Sequence, residues 1–154
     1  MRRGMRALLA LALALPLDAY SQAPASAVEF VRASYTEHYR NQGFGAEDLP
    51  KRRHWFTPRL YALLEEDARR EPESADPPRL AFDPFTNGQE DADRFAIVAS
   101  RSARNRAFVD VENYFGREPL EVTLQLVELG GAWRIENIHY SRRFNLRRIL
   151  ATPG

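Results

Sequence analysis

The chain has 154 residues, 44% hydrophobic and 28% charged, with no cysteine and a formal net charge of +1. That size suits one globular domain, and the missing cysteine excludes disulfides, thiolate metal sites and a lipid-modified cysteine, so the fold must rest on its core. A charge so close to zero argues against a nucleic-acid surface.

Residues 1–23 read as a signal peptide. Arg2, Arg3 and Arg6 form a basic end, and Ala7–Leu17 is an uninterrupted apolar run. Small residues suited to cleavage follow at Ala19 and Ala23. The run has 11 residues, too short to span a bilayer, and no later stretch reaches that length. The expectation is therefore a periplasmic or secreted protein with no transmembrane segment once the leader is removed. Removal takes away Arg2, Arg3, Arg6 and Asp18 and turns +1 into −1.

The mature chain opens with a capping box, Ser26 followed three residues later by Glu29, and the stripe Ala27, Val31, Tyr35, Tyr39, with Phe30 and Ser34 beside it, has helical spacing. Asn41-Gln42-Gly43 ends this helix, and a loop with Gly43, Gly45 and Pro50 follows. Thr57-Pro58 starts a second helix, Thr57 as N-cap and Pro58 at the first helical position. Leu60, Leu63, Leu64 and Ala68 form its buried face, and Glu65→Arg69 and Glu66→Arg70 are favourable pairs on its wet face.

Residues 71–93 show no periodicity and carry Pro72, Pro77, Pro78 and Pro84. A loop this long in a small domain is usually functional or disordered, but Leu80, Phe82 and Phe85 should pin its second half, with a turn at Asn87-Gly88. Four strands follow: Arg94–Ser102, with Phe95, Ile97 and Ala99 on one face; Arg106–Tyr114; and a hairpin over Glu121–Tyr140. A three-residue turn, Gly130-Gly131-Ala132, pairs Val127 with Ile135 and Leu124 with Ile138, matching apolar residues across the strands. In that register the apolar set changes face partway along both strands, which a bend, or a sheet covered on different faces at its two ends, would produce. The tail Ser141–Leu150 interleaves arginines with Phe144, Leu146, Ile149 and Leu150; these four are expected to pack while the arginines stay solvated. Helices followed by a meander argue an α+β fold, N-terminal helices packed on the concave face of a curved four-stranded antiparallel sheet, one domain over residues 26–150.

Candidate chemistry is sparse. Asp83, Asn87, Gly88 and Asp91 fall at EF-hand positions, but Phe85 and Arg94 stand where oxygen donors are needed, so Asp83 and Asn87 are read as turn formers. His38, His54 and His139 lie in no metal spacing; His38 would sit at a helix end, where a cation suits the dipole. No nucleophile elbow and no phosphate-binding glycine loop occurs. An acid–base pocket could draw on Tyr35, Asp83, Asp110, Trp133 and Tyr140, with His139 as a possible base.

The run Thr57-Pro58-x-Leu60-x-x-Leu63-Leu64, the loop Asp83-Pro84-Phe85-x-Asn87-Gly88-Gln89 and the ending Gly131-Ala132-Trp133-Arg134-Ile135-x-Asn137-Ile138-x-Tyr140 resemble the exported bacterial domain-of-unknown-function family 3828. The layout is also similar to nuclear-transport-factor-2-like (cystatin-like) cone folds. The resemblance implies a conical α+β domain with a pocket between helices and sheet, and no activity. The expectation is a non-enzymatic binding or protein-interaction module contacting a small ligand or protein partner through Phe82, Asp83, Phe85, Asn87, Gln89, Asp91, Trp133 and Tyr140. The alternative is a cone-fold acid–base enzyme of isomerase or dehydratase type. No catalytic, metal or cofactor residue is assigned.

Overall fold

Helix α1, Ala27–Asn41, begins where its sequence caps it: the Ser26 N–H donates to Glu29 Oε2 and the Glu29 N–H to Ser26 Oγ, both at 3.1 Å. The computed structural model describes residues 26–41 and 43–152. The expected leader, its cleavage points at Ala19 or Ala23, and Gln42 lie outside the described residues. The buried face of α1 is Ala27, Phe30, Val31, Ser34, Tyr35 and His38. His38 is therefore not a solvated helix-end cation; it continues the apolar stripe by one turn.

The next segment, expected as loop, contains a 3₁₀ helix, Leu49–Trp55. Three residues per turn bring Leu49, Arg52 and Trp55 to one face, and all three are buried. Helix α2, Pro58–Ala68, follows directly, with Thr57 Oγ1 accepting the Leu60 N–H at 3.3 Å. The expected pairs form on its wet side, Glu65–Arg69 at 2.7 Å and Glu66–Arg70 at 3.2 Å. Asp67, buried at the end of α2, holds the long loop by accepting the Arg79 and Leu80 N–H groups at 2.8 and 3.1 Å.

Strands β1 (Arg94–Ala103), β2 (Arg106–Phe115), β3 (Glu118–Leu129) and β4 (Ala132–His139) form one antiparallel sheet in chain order. Ala107, Val109, Val111, Val122, Leu124, Leu126, Ile135 and Ile138 line its inner face, all buried, and α1 and α2 pack against it. The fold is thus α+β, helices on one face of a four-stranded antiparallel sheet.

Two bulges correct the expected registers. Near the last turn the hairpin uses the two-residue loop Gly130-Gly131, both glycines at positive φ (59° and 80°), a type I′ turn whose twist suits a hairpin. Glu128 there faces Trp133 and Val127 faces Arg134. A bulge at Glu136 then inserts one residue, so Leu124 faces Ile138 as the apolar pairing requires. Of the two readings of the switching apolar face, the bulge favours the bend. In β1 a bulge at Val98 turns Ala99 away from Phe95 and Ile97, to face Asp110 on the other side of the sheet.

The outer edge of β4 is closed from within the chain. The Thr57 N–H donates to the Ile135 carbonyl at 3.0 Å, and His139 bridges to Asn145. Asn145 also caps the short helix α3, Leu146–Leu150, by accepting the Arg148 N–H at 3.0 Å. Leu146 and Leu150 are buried as expected; Phe144 is not, remaining 49% exposed beside Tyr140.

Candidate functional site

The segment Asp83–Gly88 is closed by its own hydrogen bonds. Asp83 and Gly88 bridge, the Asp83 N–H donating to the Gly88 carbonyl at 2.9 Å, and the Asn87 N–H reaches the Asp83 carbonyl at 2.8 Å. Asp83 Oδ1 accepts the Phe85 N–H at 2.8 Å, so Asp83 does form the turn its type favours. Asn87 takes a left-handed conformation (φ 57°), tolerated by its short side chain. Gly88 is required for space: a Cβ there would lie 2.7 Å from Phe115 Cε1. Gly88→Ala is expected to cost about 1–3 kcal/mol in thermal unfolding, as overpacking does, and Phe115→Leu in the same chain should recover most of it.

This turn drives Phe85 into the middle of the molecule. The ring is fully buried, stacked on His38 (4.8 Å between centroids) and surrounded by Tyr35 at 5.4 Å, Trp55 at 5.6 Å, Phe44 at 5.8 Å and Phe56 at 6.2 Å. Burial leaves the turn's carbonyls needing donors, and the surrounding elements provide them. The Phe85 carbonyl accepts from Tyr35 Oη at 2.7 Å and Asn113 Nδ2 at 3.1 Å; the Pro84 carbonyl accepts from Tyr140 Oη at 3.0 Å. Tyr39 Oη donates to Asn113 Oδ1 at 2.8 Å, which fixes that amide's orientation. Burial, with the Asp83 charge adding to it, pushes the Tyr35, Tyr39 and Tyr140 hydroxyls upward, so all three stay protonated donors.

The charged part of the site is a chain of three groups. His38 Nε2 lies 2.6 Å from Asp83 Oδ2, and Arg52 Nη1 lies 3.1 Å from His38 Nδ1 and 2.7 Å from the Gly43 carbonyl. A guanidinium can only donate, so Nδ1 must accept and Nε2 must carry the proton given to Asp83. Arg52 also lies over the Trp55 and Phe44 rings, at 5.2 and 5.7 Å. Burial pulls its pKa down, and the charges of Asp48 and Asp83 oppose that shift. Both imidazole nitrogens are thus engaged, Nε2 by the loop through Asp83 and Nδ1 by Arg52. Beside them is a recess of about 10 Å³, lined by His38, Tyr39, Asp83, Thr86, Asp91 and Ala92, with room for about one water.

The residues singled out in the sequence divide accordingly. Asp83, Phe85 and Tyr140 do meet, with Tyr35, but as scaffold; Phe85 has no surface to offer a ligand. Phe82 is half-buried against Tyr140 (5.4 Å, edge to face), Asn87 is half-buried, and Gln89 and Asp91 are exposed. Trp133 stands at the opposite end of β4 from Tyr140, roughly 20 Å along the strand. Asp110 is on the outer face of the sheet, held by Arg101 at 2.9 Å and Thr123 at 2.7 Å. His139 is on that outer face too, 2.8 Å from Gln125 Oε1, and burial pulls its pKa down. His54 is exposed. The partners that sequence reasoning missed are His38 and Arg52. Among the described residues no three His, Asp or Glu side chains converge as a metal site requires, and no helix is long and apolar enough to cross a membrane.

Larger grooves lie on the surface of the described residues, and two of them carry cationic side chains beside apolar ones. One, about 330 Å³, runs along the outer face past Arg101, Phe108, Glu121, His139 and Arg142 and carries both charge signs. The other, about 530 Å³, lies where the 3₁₀ helix, α2 and β4 meet. Comparisons of the chain with protein-family models, with curated proteins and with solved structures give no match.

Proposed function

We infer that the chain is a non-enzymatic binding or protein-interaction module, working in the periplasm or outside the cell after loss of its leader, whose contacts are made by its surface. The observation that carries this reading is the commitment of the interior. Phe85 fills the space between helices and sheet; His38, Tyr35, Tyr140 and Asn113 are spent on the 83–88 turn, and Arg52 on His38 and the Gly43 carbonyl. The likeness to family 3828 and to the cone folds belongs to the same proposal, supported by the order of helices, loop and four strands.

The acid–base alternative draws on the His38–Asp83 contact and the adjoining recess. A space of about 10 Å³ admits a water and no substrate, and the Nδ1 of His38 is already engaged by Arg52. The readings separate when a panel of enolisable ketones and hydroxy acids is titrated into isotope-labelled protein. The module reading expects no saturable shift at His38, Tyr39 or Thr86. A saturable shift there, with turnover of the compound, would establish the enzyme instead.

A further inference from the structure

Charge is distributed unevenly along α2. Its second half is matched: Glu65 pairs with Arg69, Glu66 with Arg70, and Asp67 lies within 4 Å of both Arg70 and Arg79. The cations around its first half are not. Among the described residues no carboxylate comes within ion-pairing distance of Arg53, Arg59 or Arg134, although the chain carries nearly as many acids as bases.

Arg53, His54 and Arg134 line the 530 Å³ groove together with Phe56, Pro58, Tyr61 and Ala62; its one carboxylate, Glu65, is taken by Arg69 at 2.7 Å. The cations are held in place by the fold. Arg53 lies over the Tyr61 ring at 5.1 Å, a contact that keeps the guanidinium fixed while leaving its N–H edge free. Arg134 is tied to the adjacent Trp133 carbonyl at 2.8 Å through one nitrogen. The junction itself is rigid, because the Thr57 N–H bonds the Ile135 carbonyl across it. A concave surface with an apolar floor and a cationic rim is complementary to carboxylates flanking an apolar side chain.

We propose that this groove is a docking site for an acidic segment of a protein partner, one that lays an aromatic or aliphatic side chain against the exposed Pro58 and Ala62 while its carboxylates meet Arg53 and Arg134. The concavity favours an extended peptide over a flat anionic lipid surface, which would meet the rim and leave the floor empty. The proposal rests on the module reading for the kind of partner, but not on the closed interior.

The test uses the mature chain and a short peptide with glutamates and aspartates flanking one phenylalanine, its amide counterpart (glutamine and asparagine at the same places), and vesicles containing phosphatidylglycerol. Binding is followed by calorimetry, and self-association by sedimentation. The acidic peptide should bind, the amide peptide should not, and affinity should fall steeply as salt rises. Arg53→Gln/Arg134→Gln should weaken the acidic peptide about tenfold or more, while Arg32→Gln/Arg117→Gln, which removes the same charge from exposed sites elsewhere, should leave it within about twofold. Equal loss in both double variants would reduce the effect to net charge and overturn the proposal. Vesicle binding in place of peptide binding, or a self-association that the Arg53→Gln/Arg134→Gln change abolishes, would overturn it in favour of a membrane or a second copy. Failure of the peptide with His38 still unperturbed by small molecules refutes the groove alone; a perturbed His38 refutes the module reading.

Discussion

Replacing Phe85 by alanine is expected to remove about 3–5 kcal/mol of folding stability, a large share of what a small domain possesses. The ring packs against α1 and the 3₁₀ helix and sits on the imidazole of His38, so its loss opens a cavity bounded by Tyr35, His38, Phe44, Trp55 and Phe56. These neighbours come from α1, the following loop and the 3₁₀ helix, and elements tied at so many points relax poorly into a void. Phe85→Leu should lose less than half as much. Urea unfolding measures both. A loss under about 1 kcal/mol for the alanine variant would mean that the interior collapses without the ring and that Phe85 is not its filler.

Arg52→Met is expected to cost about 3 kcal/mol, although methionine keeps the length of the side chain and its contact with Phe44 and Trp55. The change deletes the donors that satisfy His38 Nδ1 and the Gly43 carbonyl. It also leaves the Asp83 carboxylate facing a buried imidazole with no cation behind it. Because the three groups act as one chain, the effects should not add. Asp83→Asn should cost measurably less in the Arg52→Met background than in the natural chain, with a coupling between about 0.5 and 3 kcal/mol. Additive losses would show that His38 does not connect the two charges.

Much of this fold was legible before any coordinates. The capping box at Ser26 and Glu29, the Thr57-Pro58 start, the glycine pair at the last turn and the alternation along β2 are local signals, and each appears where local chemistry puts it. The turn at Asp83 and Asn87 was legible for the same reason. The registers of β1 and β4 were only half legible. A bulge adds one residue without changing composition, so pairing read from one end of a hairpin fails at the other; the apolar set that changed face was its trace. The site was harder. His38 could have been found, since Ala27, Val31, Ser34 and His38 continue one helical stripe, but a lone histidine near a helix end has a plainer explanation in the dipole. Arg52 gave less to work with. In the run Lys51-Arg52-Arg53 nothing marks the middle residue, and only the three-residue period through Leu49 and Trp55, visible once the segment is known to be 3₁₀, turns it inward. That Phe85 fills the interior while Trp133 stands at the far end of β4 depends on long-range packing with no sequence signature.

The central claim, that the interior is a closed scaffold and the molecule works through its surface, turns on His38. The direct measurement is a long-range proton–nitrogen NMR spectrum of the imidazole near neutral pH. The structure predicts a single tautomer, the proton on Nε2 and a bare Nδ1, with an Nε2 proton that exchanges slowly because Asp83 holds it in a buried site. Averaged tautomers, or an Nε2 proton lost rapidly to solvent, would mean an imidazole that opens to water and can take up a proton, and the closed-scaffold account would be wrong.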